Sequence, residues 1–340
     1  MKILFYKICR YLGLFWVAKL FFRNKLLILC YHGVSVRDEH QWWPGVFMSE
    51  VRFHRRMQLL KQHGYQVLGL SEALSLLKSG DLPPSSIVIT ADDGYLNSPQ
   101  TLCKHCAEFN FPLTIYVTSY YVQRRNPIFK LMVQYLFWRT DKRYLVGDLS
   151  FAGITETKEI DLSNDDGKKW LNSIIDYGQN CSTEEERQNI LIRLCELMDF
   201  DYEAMKNEGM FMLMDEHDLR RISDNDVDIQ LHTHRHCFPL TREDAMQEIN
   251  DNRAVLEPII NKSLTHFCYP SGVWDKSHHP FLKEQNIESA TTCRLGFVTK
   301  ESDFLALNRY LDKDDISENE FLAEISGFLT FTRKIRDVFK

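Results

Sequence analysis

The sequence has no long uncharged stretch near its amino end and no overall excess of positive charge. Within residues 1–25 the longest uncharged run is 11–18, far short of the roughly 20 residues that a membrane-spanning helix needs. The 340 residues carry 41 Lys and Arg against 47 Asp and Glu, a net charge of -6, which argues against a nucleic-acid partner. With 44% hydrophobic and 12% aromatic residues, the composition is that of an ordinary folded enzyme.

The first 37 residues depart from the acidic balance of the chain. They contain seven Lys or Arg and no Asp or Glu, while the remaining residues hold 34 basic against 47 acidic side chains, a net charge of -13. Lys7, Arg10 and Lys19 interrupt the apolar residues, and no small-residue cleavage site follows, so this is not a clean signal peptide. We treat residues 1–25 as a separate segment. Its basic and apolar residues predict either a helix in peripheral contact with an anionic membrane or a helix packed on the rest of the protein.

The cysteines do not have the number and spacing of a disulfide framework, because there are nine of them and they are scattered. This pattern predicts reduced thiols and a cytoplasmic protein, with residues 1–25 on the inner face of the membrane if they contact one. Cys103 and Cys106 have the spacing of a metal or redox pair, but they lie in an apparent helix and no second pair exists. We interpret them as buried helix cysteines.

From residue 26 onward, short apolar runs alternate with amphipathic stretches, as in β/α units. Residues 26–31, 86–90 and 226–231 are among the predicted strands. The alternation stops between about residues 121 and 210, which we interpret as an insertion. Its role is left open between a wall of the substrate groove and a module for protein interaction.

Two acidic residues, Asp92 and Asp93, follow the best-defined predicted strand and precede Gly94. In β/α folds the carboxyl ends of strands carry the active site. Adjacent carboxylates at a strand end point in different directions, so one can bind a metal while the other acts as a base. The alternative is an ordinary turn or helix cap.

A histidine cluster after the strand at 226–231 favours the catalytic interpretation. His232 and His236 are four residues apart, a spacing that predicts two imidazoles on one face of a helical turn, as in zinc sites. Two imidazoles and a carboxylate leave a coordination position for water or substrate. His234 lies between them and is expected to face elsewhere.

Together these motifs resemble the polysaccharide deacetylases of the NodB-homology type, also called carbohydrate esterase family 4. The segment 90–94, Thr-Ala-Asp-Asp-Gly, is similar to the family's Thr-Phe-Asp-Asp-Gly, and 232–236 matches its His-Ser/Thr-x-x-His. Residues 267–272, Phe-Cys-Tyr-Pro-Ser-Gly, are a variant of its third motif. The resemblance covers roughly residues 26–120 and 211–330. It implies one distorted (β/α) barrel over 26–340 with an inserted subdomain at 121–210.

The resemblance also implies a role for each matching residue. Asp92 would be the general base. Asp93, His232 and His236 would hold a divalent metal, with zinc as the expected ion. The backbone N–H of Ser271 would donate a hydrogen bond to the oxyanion of the tetrahedral intermediate.

The sequence departs from the family pattern at two positions. Many members take the general acid from a histidine near the carboxyl end, but no histidine follows His279 here. A circularly permuted branch places the equivalent strand first, and residues 29–33, Leu-Cys-Tyr-His-Gly, look like its Tyr-His motif, so we nominate His32. The arginine that pairs with the base is replaced by Cys268, and either Arg294 or Arg309 could substitute for it.

The resemblance therefore implies a metal-dependent hydrolase that removes an N-acyl group, with N-acetyl as the expected one. Its substrate would be an amino sugar in a surface polysaccharide or lipid-linked glycan precursor. Two alternatives on related glycans stay open: a deformylase and an O-acetyl esterase. A third is a non-catalytic glycan-binding or assembly protein that keeps the fold, an interpretation supported only by Ala91 and the missing arginine.

Overall fold

The computed structural model describes residues 2–155, 159–181, 183–225 and 227–338. Residues 156–158 and 182 of the predicted insertion, and Asp226 of the predicted strand 226–231, lie outside this description. The strands are β1 Leu27–Tyr31, β2 Gly33–Val34, β3 Phe47–Met48, β4 Gln66–Val67, β5 Ser86–Ala91, β6 Thr114–Val117, β7 Tyr144–Val146, β8 Glu159–Asp161, β9 Asp228–Leu231, β10 His266–Cys268, β11 Ser289–Thr291 and β12 Tyr310–Leu311. The α-helices are α1 Lys2–Tyr11, α2 Leu14–Phe22, α3 Glu39–Trp42, α4 Glu50–Gln62, α5 Leu70–Ser79, α6 Lys104–Glu108, α7 Phe129–Arg139, α8 Asp165–Gln179, α9 Glu184–Leu197, α10 Tyr202–Asn207, α11 Glu216–Ser223, α12 Arg242–Ile260, α13 His278–Glu284, α14 Glu318–Ile325 and α15 Phe328–Val338.

Eight strands form one curved parallel sheet in the order β11-β10-β9-β6-β5-β1-β12, with β4 also paired to β5. A parallel bridge between Thr291 and Leu307 joins β11 to the segment before β12, so the two ends of the sheet meet. Every residue of β1 and β5 is buried, because helices cover the outside of the sheet and side chains fill its inside. The predicted distorted (β/α) barrel is thereby confirmed.

The residues predicted as an insertion, 121–210, contain α7 to α10 and the antiparallel pair β7–β8. Nearly all of their buried apolar side chains form a hydrophobic cluster distinct from the one inside the barrel, which takes up only Val122. Phe47 of β3 and Tyr95, which follows β5, join that cluster. Trp42 packs in it too, with its ring 5.7 Å from that of Tyr135. Residues 121–210 are thus attached beside the carboxyl ends of β1 and β5 by aromatic packing.

The two amino-terminal helices pack on the barrel through one face each. Tyr6 and Cys9 of α1 are buried, as are Phe15, Ala18 and Phe22 of α2. The ring of Phe15 lies 5.2 Å from that of Phe328, the first residue of α15. No helix in the described part of the chain is both long and apolar enough to cross a bilayer.

One buried histidine in the sheet makes the stability of the fold depend on pH. His266 in β10 lies between two hydroxyl groups, Ser71 Oγ at 2.7 Å and Ser289 Oγ at 2.8 Å. Burial, and secondarily the positive charge of Lys78, lower its pKa from 6.5 to about 4. As the pH falls below 6.5 the unfolded chain is protonated first, so the stability contributed by neutral His266 is present above pH 6.5 and is lost toward pH 4.

We expect this residue alone to reduce the free energy of unfolding by roughly 3 kcal/mol between pH 7 and pH 4. Urea unfolding at several pH values should therefore give a flatter pH dependence for His266→Gln than for the wild type. The exposed His217 provides the control, because His217→Gln should keep the wild-type pH dependence. Equal slopes for His266→Gln and the wild type would contradict the assignment.

Candidate active site at the carboxyl ends of the strands

The predicted functional residues meet at one end of the barrel. His32 follows β1, Asp92 and Asp93 follow β5, and His232 follows β9. Because all these strands are parallel, their carboxyl ends lie at the same edge of the sheet.

The two adjacent carboxylates have separate sets of partners. Asp92 continues the strand, and its backbone N–H donates to the carbonyl of Tyr31. Asp93 adopts a left-handed conformation with φ of 72°, which turns its side chain away from that of Asp92. The following Gly94 has φ of 86°, and a Cβ there would lie 3.1 Å from the side chain of Val117. A glycine is therefore needed to close this turn against the next strand.

Asp92 is held by a buried arginine. Arg309 Nη1 lies 2.7 Å from Asp92 Oδ1, and Nη2 lies 2.8 Å from Oδ2. Arg309 is 1% exposed and Asp92 is 3% exposed. Burial by itself would raise the pKa of Asp92, but the charge and hydrogen bonds of Arg309 outweigh it and hold that pKa well below its ordinary value. Of the two candidate arginines, Arg309 and not Arg294 is therefore the partner of Asp92.

Two thiols complete the surroundings of Asp92. The Sγ atoms of Cys30 and Cys268 lie 3.6 Å and 3.4 Å from Asp92 Oδ2, and Arg309 Nη2 lies 3.2 Å from Cys268 Sγ. Cys268 thus occupies the position of the family's arginine and contacts the guanidinium that replaces it. Nothing in the sequence pattern marks Cys30 as a neighbour of the carboxylate.

His32 is a further neighbour of Asp92, with its Nε2 3.8 Å from Asp92 Oδ2. Its Nδ1 is buried and has no hydrogen-bond partner among the described residues. The side chain is 16% exposed, so a molecule in the site can reach it. His32 is therefore not a fully enclosed core histidine, and its placement is compatible with proton donation.

Asp93, His232 and His236 form a cluster that fits a metal ion. The Nε2 atoms of both histidines lie 3.4 Å from Asp93 Oδ1, and that oxygen is buried without a hydrogen-bond partner among the described residues. Ligand atoms about 2.1 Å from a tetrahedral metal stand roughly 3.4 Å from one another. The three side chains thus provide a suitable ligand set, and the His236 side chain is 42% exposed, which leaves one side of the cluster open.

The prediction of a helical turn at 232–236 is wrong, although both imidazoles do lie next to Asp93. These residues form an irregular loop, in which Thr233 and His236 have φ of 64° and 56°. In this loop conformation the two rings lie at a centroid distance of 5.0 Å. The side chain of His234 points elsewhere, with Nδ1 2.9 Å from Ser119 Oγ.

Neighbouring groups fix the orientation of His232. Its Nδ1 lies 2.8 Å from the carbonyl oxygen of Cys268, which directs Nε2 toward Asp93, as is common for metal-binding histidines. Its backbone N–H donates to the side chain of Asn252 in α12, which is fully buried. Sequence reasoning missed Asn252, because a single asparagine in a polar helix carries no signal of this role.

Ser271 lies on the same edge, in the loop after β10, with φ of 55°. The next residue, Gly272, has φ of 66°, and a Cβ there would lie 2.6 Å from the Cβ of Cys293. The close approach of these two loops therefore requires glycine at 272. The role of the Ser271 N–H as an oxyanion donor stays a prediction.

Comparison with known proteins shows which class of protein this chain is similar to. The family model for polysaccharide deacetylase matches residues 202–290, which include the second and third motifs but neither His32 nor the Asp92–Asp93 pair. The Streptococcus pyogenes deacetylase PplD, solved in complex with acetate, is similar in structure with a TM-score of 0.58 at 15% identity over 89% of this chain and 99% of that chain. IcaB from Ammonifex degensii gives a TM-score of 0.57 at 15% identity over 89% and 97% of the two chains. A search of curated protein sequences finds no significant relative.

These matches confirm the resemblance that the motifs predicted. Residues 202–290 match the polysaccharide deacetylase family, and the chain has the barrel fold of the solved deacetylases. Its enzyme class is accordingly that of the hydrolases, as predicted.

Proposed function

We propose that this protein is a metal-dependent N-deacylase that releases an acyl group, with acetyl as the expected one, from an amino sugar of a glycan. The observation that carries the proposal is the separation of two adjacent carboxylates. Asp93 lies with two imidazoles around one point, whereas Asp92 lies between a guanidinium and a third imidazole. Amide hydrolysis needs both sets, one to bind a Lewis acid and one to move protons.

The residues of this chain divide the work as follows. Asp93, His232 and His236 would hold a divalent metal, with zinc as the expected ion. When bound, such an ion polarises the amide carbonyl and acidifies a water molecule. Asp92, kept ionised by Arg309, accepts the proton of the attacking water through its free lone pairs. His32 gives a proton to the departing amine nitrogen, and the Ser271 N–H stabilises the oxyanion.

The non-catalytic alternative loses its main support. It rested on Ala91 and on the missing arginine of the third motif. Because Arg309 forms the bidentate pair with Asp92 from another strand, the base has a partner after all. A binding protein would have no need for that buried pair beside an acidic and imidazole-rich cluster.

We also propose a cytoplasmic location. All nine cysteines are free thiols, and five of them are buried, as expected for a protein that folds in a reducing compartment. The oxidising alternative would require an odd thiol to remain unpaired.

The first experiment is to measure the metal content of the purified protein by plasma mass spectrometry. We expect about one zinc ion per wild-type chain and a loss of that ion in the double variant His232→Ala/His236→Ala, because Asp93 alone cannot hold it. Amine release from N-acetylated amino-sugar oligomers should disappear with the metal.

His234→Ala is the matched control, since that imidazole is bonded to Ser119 outside the cluster and its removal should leave the ion in place. Wild-type protein that takes up no stoichiometric metal after incubation with zinc and removal of the excess would contradict the hydrolase mechanism.

A further inference from the structure

The described part of the chain exposes 21 large hydrophobic side chains, and 11 of them lie within residues 3–21. Phe331 of α15, beside these helices, is another. We call these twelve residues the apolar helix surface: Ile3, Leu4, Phe5, Ile8, Tyr11, Leu12, Leu14, Trp16, Val17, Leu20, Phe21 and Phe331. Scattered exposed hydrophobics are normal on a protein, but such a concentration marks an interaction site.

The helical periodicity shows that the surface is a face and not a frayed end. In α2 the buried side chains are Phe15, Ala18 and Phe22, and at 100° per residue Trp16 and Leu20 point in the opposite direction. In α1, Leu4 and Tyr11 lie opposite the buried Tyr6 and Cys9 in the same way. Each helix is thus apolar on both sides: one side packs on the barrel and the other faces outward.

The charges of this segment favour an anionic lipid surface as the occupant. Residues 1–37 contain seven Lys or Arg and no carboxylate, although the rest of the chain is acidic. Lys7, Arg10 and Arg23 are exposed among the apolar side chains. A second copy of the chain, docked symmetrically, would bring two copies of this cationic surface together, with no carboxylate from the segment to compensate. Exposed tryptophan, tyrosine and lysine beside an apolar face are typical of helices that lie in a membrane interface.

The position of α2 shows where the apolar helix surface lies relative to the candidate active site. The carbonyl of Arg23, just after α2, accepts from the N–H of Ser85, just before β5, and Lys19 Nζ donates to the carbonyl of His63 after α4. The end of α2 therefore lies at the amino ends of the strands. Asp92 follows the carboxyl end of the six-residue β5, which spans roughly 20 Å.

We propose that the apolar helix surface docks this protein on an anionic bilayer, with the candidate active site at the far end of the barrel and open to water. If the proposed function also holds, the substrate is a glycan chain that reaches at least about 20 Å from the bilayer, and not an amino sugar joined directly to a lipid headgroup. The docking itself does not depend on catalysis.

The test is co-sedimentation of the full chain with vesicles of phosphatidylglycerol and phosphatidylcholine at a ratio of 3:7. We expect the wild type to bind, and to bind less when phosphatidylglycerol is omitted or the salt concentration is raised. The variant Trp16→Gln/Leu20→Gln should lower the partition coefficient by about tenfold or more, because two apolar side chains no longer enter the interface.

The matched control is Leu240→Gln/Val273→Gln. These residues are 66% and 67% exposed and follow β9 and β10, at the end of the barrel that carries the site. This variant should bind vesicles like the wild type, and a loss of binding would overturn the proposed orientation.

Two further outcomes would overturn the docking proposal. One is a wild type that does not bind either kind of vesicle. The other is a vesicle-free dimer that Trp16→Gln/Leu20→Gln converts to a monomer, since the apolar helix surface would then be covered by a second copy. Amine release from a soluble oligomer, measured on the same samples, reports separately on the proposed deacylase, and circular dichroism shows whether each variant is folded.

Discussion

Replacing Asp92 with asparagine lowers amine release from N-acetylated amino-sugar oligomers by about 10²–10⁴-fold, the range expected when a general base is removed. The metal content should stay at the wild-type level, because the ligand group of Asp93, His232 and His236 does not include Asp92. The two measurements together distinguish a base from a ligand. An Asp92→Asn variant that keeps more than about a tenth of wild-type turnover would contradict the assignment, since the loss would then fall below that range.

His32→Gln is the matched comparison, because His32 also lies near Asp92 and is assigned proton donation. Its loss should slow amide hydrolysis by about 10²-fold or more. It should have little effect on an aryl ester such as p-nitrophenyl acetate, whose leaving group departs without a proton. Asp92→Asn should slow both substrates. An equal loss on amide and ester in His32→Gln would make that histidine structural.

The second large effect is expected on stability. Arg309→Met leaves the carboxylate of Asp92 buried without a countercharge, and we expect the free energy of unfolding to fall by about 3–5 kcal/mol. Adding Asp92→Asn to this variant should restore part of the loss, since the double change removes both charges. Urea unfolding of the wild type, the two single variants and the double variant gives the coupling energy directly.

Arg294→Met is the control, because it removes the other candidate arginine from the same region. Arg294 is exposed and lies over the ring of Trp274, with its guanidinium carbon 4.4 Å from the ring centroid. An exposed cation–π contact contributes about 0.5–1 kcal/mol. If Arg309→Met costs no more than Arg294→Met, the buried pair does not stabilise the fold.

Local sequence patterns were sufficient to predict the main strands of the barrel. The strands at 26–31 and 86–90 are continuous apolar runs because both of their faces are covered, and the structure places them at Leu27–Tyr31 and Ser86–Ala91. The short strands were harder to place. β12 has two residues, too few to give a periodic pattern, and its pairing with β1 depends on the closure of the sheet.

The candidate site, too, was predicted from the sequence only in part. Asp92, Asp93, His232, His236 and His32 could be named because each lies at or just after the end of a strand, and parallel strands bring their carboxyl ends together. The helical turn at 232–236 was wrong, because the spacing i, i+4 also suits a loop in which two residues have positive φ. Periodicity cannot distinguish these two ways of placing two side chains side by side.

Residue types and their spacing along the chain were enough to assign the class of chemistry: two carboxylates and two imidazoles at strand ends, in a parallel β/α fold, with a basic apolar segment ahead of an acidic body. The three-dimensional contacts show which distant groups support these residues. Arg309 reaches Asp92 from 217 positions away, and Asn252 supports His232 from a helix. The structure also decided that α1 and α2 both pack on the barrel and keep an apolar face outward. Contacts of this kind depend on how the barrel closes, and no local pattern of residues encodes that closure.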